Sequence, residues 1–385
     1  SSWITPMRAC PLLIVLALAV PTAWPAYAER IDSELGPVEI TTIASGLNSP
    51  WAVAFLPDGR YLVTERGGTM RIVDADGTIG APLAGVPEVY ANGQGGLLDV
   101  VLDPAFATNR TIYFSYAEPG PDGAHTAIAR ARLEPGTLAN VRVLFRQTPG
   151  YDGGAHFGSR IVIGRDGLLY ATIGERGDHR NRAQELDKTY GKVIRIGRNG
   201  EIPKDNPFVG RSDANAAVWS YGHRNPQGLA LNPFSGELFE HEHGPQGGDE
   251  INVIRKGANY GWPVITYGRE YWGPKIGEGT AKAGMEQPLH YWDPSIAPSG
   301  MAFLSTDAAG AWKGDLFVGA LKFTLIARLE LQDGKVVHEE RLLADQRDRV
   351  RDVREGPDGA LYVLTESRGR LLRLQPPEGI PPVSN

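Results

Sequence analysis

Short runs of alternating apolar and polar residues cover most of this chain, and their order repeats. Residues 50–73 begin with an apolar run, turn at Pro-Asp-Gly, continue through a second run that ends in Thr-Glu, and close with a third run after a glycine. Residues 350–374 repeat this order with the same spacing. Period-two alternation indicates half-buried β-strands, and Pro-Asp-Gly is typical of the tight turns between them. Each segment therefore predicts a small antiparallel sheet.

Less regular copies of the same unit occupy much of the remaining chain. They lie at residues 96–116, 158–174, 228–254 and 299–331. With the two clear copies they make six units that begin roughly 45–75 residues apart. The sequence therefore predicts an all-β fold, a six-bladed β-propeller with long loops on one face. A strand near residues 38–43 is expected to complete the last blade. A two-sheet sandwich is the alternative, and the number of repeats argues against it.

The N-terminal segment follows a different pattern. Arg8 precedes an apolar run over residues 11–20, and an Ala-Tyr-Ala site follows the run. This order predicts a secretory signal peptide over residues 1–28 and a periplasmic location, with a buried N-terminal helix as the alternative. The run is too short for stable membrane insertion. Residues 29–385 contain no linker composition and are predicted to form one propeller domain.

Composition excludes several classes of function. The 385 residues carry 39 basic and 45 acidic side chains, a net charge of −6, which does not favour a nucleic-acid binder. The only cysteine, Cys10, lies in the predicted leader. The mature protein is therefore expected to have no disulfide, no thiolate metal site and no cysteine nucleophile. We expect a monomer.

Polar residues that strands do not require gather in six segments, each beside a predicted strand end. They are residues 92–97, 156–160, 174–176, 222–227, 319–322 and 349–352. Equivalent strand ends converge on one mouth of a propeller channel, so four cations are expected around one cavity: Arg224, Lys322, Arg349 and Arg351. Unpaired cations held together are costly unless an anion neutralises them. The sequence therefore predicts a polyanionic ligand on the propeller axis.

At these residues the chain resembles the soluble PQQ-dependent aldose sugar dehydrogenases of the glucose/sorbosone dehydrogenase family. The resemblance rests on Gly-His-Arg-Asn-Pro-Gln-Gly at 222–228, Glu-His-Gly-Pro-x-Gly-Gly-Asp-Glu-Ile-Asn at 242–252, Asn-Tyr-Gly-Trp-Pro at 259–263 and Arg-x-Arg-Asp-Val at 349–353. It implies a six-bladed propeller that binds pyrroloquinoline quinone (PQQ) and calcium. It also implies oxidation of aldose sugars at the anomeric carbon to lactones, with electrons passed to an unknown external acceptor. The three carboxylates of PQQ agree with the predicted polyanion.

The resemblance also implies roles for single residues. His156 matches the general base, Glu175 the carboxylate that orients it, and Arg224 the cation beside the reacting carbonyl. Cofactor contacts are implied for Gln94, Arg224, Asn225, Tyr271, Lys322, Arg349 and Arg351. Metal ligands are implied at two sites. The carbonyls of Gly244 and Pro245 match the ligands of the calcium that also binds the quinone. Glu250 and the Tyr260 carbonyl match the ligands of a further calcium.

Other interpretations of these residues stay open from the sequence alone. His156 fits a structural histidine beside a turn, and the Arg-x-Arg pair fits a solvated strand face. Tyr271 and Trp292 fit either an aromatic wall of the cleft or core packing. His241 and His243 face the same side of a strand, but no third ligand at a recognised spacing completes a metal site. Ala155 stands where glucose-specific members of the family carry an acidic residue, which favours a broader aldose range.

Two other classes of function remain as alternatives. A non-catalytic propeller that binds a glycan or a protein would have an uncharged channel mouth. A calcium-dependent propeller hydrolase acting on lactones would have several carboxylates around an axial metal. The matched axial residues are mostly cations and amides, so the dehydrogenase is favoured.

Overall fold

The computed structural model describes residues 28–379, whose regular structure is almost entirely β-strand. Strands β1 (Ala28–Ile31) and β2 (Val38–Ala44) come first, and blade one then holds β3 (Pro50–Phe55), β4 (Tyr61–Glu65) and β5 (Thr69–Val73). Blade two holds β6 (Leu97–Leu102), β7 (Thr111–Gly120), β8 (Gly123–Glu134) and β9 (Thr137–Arg146). Blade three holds β10 (Gly158–Ile163), β11 (Leu169–Ile173), β12 (Lys192–Ile196) and β13 (Val218–Tyr221).

The second half of the chain continues in the same way. Blade four holds β14 (Asn225–Leu231), β15 (Leu238–His243), β16 (Asp249–Ile254) and β17 (His290–Trp292). Blade five holds β18 (Pro298–Phe303), β19 (Leu316–Ala320), β20 (Ile326–Gln332) and β21 (Lys335–Leu342), and blade six adds β22 (Val350–Glu355), β23 (Leu361–Thr365) and β24 (Arg370–Gln375). The described helices are short: α1 (Phe106–Asn109) and 3₁₀ turns at Arg180–Gln184, Asp307–Trp312 and Ala344–Gln346.

The six sheets form a closed ring. The innermost strands contact one another in the order β3, β6, β10, β14, β18 and β22, and β22 returns to β3. This order confirms the predicted six-bladed propeller. The sheets have four strands in blades two to five, three in blade one and five in blade six. The number of strands therefore differs between the blades, although each blade is a small antiparallel sheet as the repeats predicted.

The N-terminal strands account for the fifth strand of blade six. β2 pairs antiparallel with β24, and β1 pairs with β2. The apolar side chains of Val38 and Ile40 are buried in the same cluster as Leu361 and Leu374 of the last blade. The predicted ring-closing strand is thus confirmed, because one hydrophobic core joins the two ends of the domain.

Every innermost strand carries a β-bulge near its start. The register of the strand pair shifts after Pro50, Leu97, Gly158, Pro226, Pro298 and Val350. A bulge turns a side chain away from the regular pleat and is frequent beside functional sites. Residues at the bulges meet across the channel: the guanidinium of Arg351 lies 5.7 Å from the ring of Trp51 and donates to Gln227 Oε1 at 3.2 Å.

A buried layer of charged residues crosses the channel next to these bulges. Arg160 Nη1 lies 3.0 Å from Asp352 Oδ1, Arg354 Nε lies 3.0 Å from Asp352 Oδ2, and Arg354 also pairs with Asp99. Two cations and two carboxylates balance here. The layer joins blades two, three and six and leaves no charge for a ligand.

Residues 1–27, nearly all of the predicted signal peptide, lie outside the described residues, so the leader stays a prediction. Ala28, its predicted last residue, pairs with Thr41 at the start of β1. Within residues 28–379, no helix has both the length and the apolar character needed to cross a membrane.

Candidate active site

A cavity of about 290 Å³ opens on the axis, with residues from every blade except the third among its lining. The charged and amide side chains in this lining are Arg66, Gln94, Gln227, Arg349, Arg351 and Glu366, and His243 adds an imidazole. Gln94, Arg349 and Arg351, which the sequence assigned to a cofactor, are therefore brought together. We call this space the axial cavity.

Positive charge is in excess in the axial cavity. Glu366 is the one carboxylate in its lining, against three guanidinium groups. Glu366 Oε2 lies 2.9 Å from Arg351 Nη2 and 3.5 Å from Arg349 Nε. Burial lowers the pKa of Arg351 to about 10, so this group stays charged at neutral pH. The Nε–H groups of Arg66 and Arg351 are buried and have no acceptor among the described residues, which fits an anionic ligand.

His156 lies at the rim of the axial cavity on a constrained piece of backbone. Its φ is +52°, and its N–H donates to the side-chain oxygen of Gln94 at 3.0 Å. The loops that carry the two residues touch at Gly93 and Gly154, where a Cβ on Gly93 would lie 2.4 Å from the Gly154 carbonyl oxygen. Only glycine permits this approach. The glycines therefore place the imidazole beside the cavity.

Glu175 orients the His156 ring. His156 Nδ1 hydrogen-bonds to Glu175 Oε1, while Glu175 Oε2 accepts from the indole N–H of Trp262 at 3.1 Å. The N–H of Gly177 donates to Glu175 Oε1 at 2.6 Å. The carboxylate fixes the proton on Nδ1, and Nε2 has no hydrogen-bond partner in residues 28–379. Burial lowers the pKa of His156, so the neutral ring that a general base needs is favoured.

Arg176 holds the loop that leads into His156. Its guanidinium is buried and donates to backbone carbonyls of Ala124 at 2.8 Å and Ala155 at 3.1 Å, and also to those of Tyr151 and Gly153. It stacks 4.0 Å above the ring of Phe157. Because each guanidinium nitrogen of Arg176 donates to a backbone carbonyl, this side chain has a structural role and does not face a ligand.

Arg224 and Asn225 begin blade four next to His156. The backbone carbonyl of Arg224 accepts from the N–H of Glu175 at 2.9 Å, which connects blade four to the His156–Glu175 pair. Arg224 Nη1 donates to the carbonyls of His243 at 3.2 Å and Gly244 at 2.8 Å. Asn225 is fully buried, and its Nδ2 has no acceptor among residues 28–379, so it offers an unused donor.

Three of the four predicted metal ligands line one small cavity. Gly244, Glu250 and Tyr260 surround a volume of about 10 Å³, together with Arg224 and Glu242. The Gly244 carbonyl accepts from Arg224 Nη1 at 2.8 Å, so a calcium ion at this carbonyl would compete with a guanidinium. That volume is close to one water-sized sphere, which suits a small ion. The Pro245 assignment is tested by no contact and stays a prediction.

Lys322, Tyr271 and Trp292 are not part of the lining of the axial cavity. The amino group of Lys322 lies 5.2 Å from the ring of Phe323 and is not part of the lining, although Leu321 is. Tyr271 is 73% exposed in the loop between β16 and β17, and its predicted role stays a prediction. Trp292 is buried in the core of blades four and five. The rings of His241 and His243 each place Nε2 on a backbone carbonyl rather than on a shared metal.

Sequence reasoning missed Arg66, Trp262 and Glu366 as site residues. Glu366 and Arg66 occur at the ends of the second strands in the two clearest repeats, and that shared position was the available signal. The sequence indicated Trp262 only as part of the Asn-Tyr-Gly-Trp-Pro motif at 259–263. Its bond to Glu175 joins residues 87 positions apart, which no local pattern reveals.

Fold and site together define a closed propeller with a cationic axial cavity and an imidazole–carboxylate pair at its rim. The chain belongs to the glucose/sorbosone dehydrogenase family, because the family described as Glucose / Sorbosone dehydrogenase matches residues 47–373. The recognition made from the sequence motifs is thereby confirmed.

Similar proteins align with nearly the whole length of this chain. The aldose sugar dehydrogenase YliI of Escherichia coli (strain K12) is 50% identical over 346 residues, which are 88% of this chain and 93% of that protein. The apo-form structure of the soluble aldose sugar dehydrogenase from Escherichia coli has a TM-score of 0.86 at 48% identity, covering 88% of this chain and 99% of that one. The PQQ-bound aldose sugar dehydrogenase of Streptomyces coelicolor has a TM-score of 0.73 at 31% identity, covering 91% and 99%.

Proposed function

We propose that this protein is a PQQ- and calcium-dependent dehydrogenase that oxidises aldose sugars at the anomeric carbon to lactones. The observation that carries the proposal is the excess of guanidinium groups in the axial cavity next to the oriented imidazole of His156. A relative at 31% identity is described as PQQ-bound, which supports the choice of cofactor. When bound, PQQ would supply the electrophilic centre that accepts hydride from the sugar.

The cavity residues would hold the carboxylates of the cofactor. Arg66, Arg349 and Arg351 supply the charge, and the free Nε–H groups of Arg66 and Arg351 supply unused donors. Gln94 uses its oxygen on the His156 backbone, which leaves its NH₂ for the ligand. Arg224 and the free Nδ2 of Asn225 stabilise negative charge that develops beside them.

His156 takes the proton from the anomeric hydroxyl of the sugar. Nε2 accepts that proton, while Glu175 keeps the proton on Nδ1 and stabilises the imidazolium that forms. Trp262 and Gly177 hold Glu175 in this orientation. Since Nε2 has no partner in the described part of the chain, no internal bond must break before the transfer.

Calcium, location and partners complete the proposal. Gly244 and Pro245 would supply carbonyls to the ion at the cofactor, and Glu250 with Tyr260 would bind a further calcium. The predicted leader supports a periplasmic location, where an external acceptor receives the electrons. We propose that the enzyme works as a monomer on a range of aldoses.

Reconstitution tests the function directly. Chelator-treated protein is mixed with calcium and PQQ, and reduction of an artificial dye is followed with glucose, xylose and maltose. We expect dye reduction that requires PQQ and sugar together, with lactone as the product. A protein that binds sugars but reduces no dye under these conditions would be a glycan-binding propeller instead.

A further inference from the structure

Three buried side chains meet behind Arg224, away from the axial cavity. His223 lies in the connection from β13 to β14, and Glu240 and Glu242 lie on one face of β15. One ligand atom from each of the three lies within 4.8 Å of the others. His223 and Glu240 are fully buried, and Glu242 is 4% exposed. We call these three residues the interblade triad.

The two carboxyl groups of the interblade triad are buried without a lysine or arginine partner among the described residues. No lysine or arginine of the described residues forms an ion pair with Glu240 or Glu242, and Arg224 gives Glu242 only its backbone N–H. Glu240 Oε1 lies 3.8 Å from His223 Nδ1, too far for a hydrogen bond, and accepts none from residues 28–379. A buried carboxylate oxygen that faces an imidazole and has no partner indicates a missing positive ion.

Neighbouring residues hold the triad in the arrangement that a metal needs. Asn252 Nδ2 donates to Glu240 Oε2 at 3.0 Å and to Glu242 Oε1 at 3.3 Å. His223 Nε2 lies 2.8 Å from Ser220 Oγ, and its ring stacks on Tyr260 with centroids 4.8 Å apart. Histidine ligands usually donate their second ring N–H to such an oxygen. His223 Nδ1 lies 3.0 Å from Glu242 Oε1. With the proton on Nε2, the lone pairs of these two atoms face each other, and a metal ion bound to both would remove their repulsion.

We propose that the interblade triad binds one divalent transition-metal ion, with zinc the best-suited ion. His223 Nδ1 and one oxygen each from Glu240 and Glu242 are the protein ligands. A mixed set of imidazole and carboxylate suits zinc, whereas calcium prefers oxygen ligands alone. The charge of the ion balances the two carboxylates, and a water molecule completes the coordination.

The metal would fix the position of Arg224. His223 directly precedes Arg224, and Glu242 accepts the backbone N–H of Arg224 at 2.5 Å. The triad also links the end of blade three to blade four. The ion is thus structural, and because its ligands are buried, it enters during folding and exchanges slowly.

Metal analysis of the apo-protein tests this site without PQQ or sugar. Protein unfolded in chelator is refolded with ZnCl₂, MnCl₂ or CaCl₂, and bound metal and Tm are measured. We expect about one zinc per chain and a higher Tm with zinc than with calcium. The Glu240→Gln variant keeps the side-chain shape and is expected to weaken zinc binding at least roughly 10–100-fold. Glu237→Gln, an exposed change just before β15, is expected to bind zinc like the wild type.

Two results would overturn the site. In one, refolded wild type binds no zinc and Glu240→Gln raises Tm regardless of metal, because the carboxylates share protons instead. In the other, calcium binds and zinc does not. If Glu240→Gln fails to fold, the wild type is refolded with cobalt(II) and its visible absorption spectrum is recorded. A spectrum like that of free cobalt(II) would count against the site. None of these readouts depends on the proposed dehydrogenase activity.

Discussion

His156 shows at the scale of one residue how loop geometry prepares a base. A φ of +52° turns its side chain toward Glu175, and the backbone bond to Gln94 holds that turn. The ring therefore has one nitrogen occupied and one nitrogen available. Its chemistry follows from this orientation more than from its being a histidine, since the chain contains seven other histidines.

Replacing His156 with alanine tests its role as the base. We expect kcat to fall by at least ~10²-fold, because proton transfer is lost, while the Kd for PQQ stays near the wild-type value. Dye reduction gives kcat and fluorescence titration gives the Kd. His338→Ala, a change on the exposed side of β21, is the control and should leave both unchanged. Full activity in His156→Ala would remove His156 from the mechanism.

The pH dependence of activity follows from the same residue. Burial lowers the pKa of His156 below its ordinary value of 6.5, despite the opposing effect of Glu175. The base works in its neutral form, so kcat/KM should stay constant as pH falls from 8 through about 6.5 and decline only at lower pH. A profile of log kcat/KM against pH checks this. A midpoint above 6.5 contradicts the assignment.

The positions of site residues were predictable from sequence mainly where a motif contained them. His156, Glu175 and Arg224 lie together as the motifs implied, but Lys322 packs on Phe323 and Tyr271 is exposed. A motif fixes which residue stands at a strand end and says little about the rotamer of a long side chain in a loop. Long polar side chains such as lysine are therefore the least predictable part of the site.

At the scale of elements, the bulged inner strands and the loop before β10 build the site. The repeats predicted the strands, yet no sequence pattern marked the bulges that turn Gln227 and Arg351 toward the channel. A bulge needs one extra residue in one strand of a pair, so it becomes visible only when the pairing partner is known. The contact of Trp262 with Glu175 could not be predicted for the same reason, since the spatial partner was unknown.

Arg176 offers a test of the loop that carries His156. Lysine has a single amino group and cannot serve four carbonyls spread between Ala124 and Ala155. We expect Arg176→Lys to lower kcat on the order of 10-fold or more, because the imidazole is displaced, with little change in the Kd for PQQ. Arg211→Lys, an exposed change, is the control. Equal kcat in wild type and Arg176→Lys would show that the loop is held by other contacts.

The ring-closing strand β2 gives a stability prediction. Ile40 is 3% exposed in the core of blade six, whereas its neighbour Glu39 is exposed. Ile40→Ala should lower the free energy of unfolding by about 2–5 kcal/mol. Glu39→Ala should change it by less than about 0.5 kcal/mol. Chemical denaturation measures both. Similar values for the two variants would mean that β2 does not close the propeller.

At the scale of the whole molecule, the sequence repeats were enough to predict the architecture. Six units, their order and the N-terminal closing strand follow from spacing, because each blade is a local antiparallel sheet. The distribution of charge also follows: arginines from separate blades meet on the axis, above a layer in which Arg160, Arg354, Asp99 and Asp352 balance. The central claim is that the remaining positive charge holds a polyanion.

Calorimetric titration of PQQ into the apo-protein with calcium present tests that claim most directly. Arg349→Gln removes one half-exposed charge from the axial cavity, and Arg373→Gln removes one paired with Asp358 on the outer side of blade six. A hydrogen bond to a charged group contributes about 1.5–3 kcal/mol, so Arg349→Gln should raise the Kd roughly 10-fold or more. Arg373→Gln should leave it unchanged. Equal affinities in wild type and both variants, or no binding to wild type, would contradict the account.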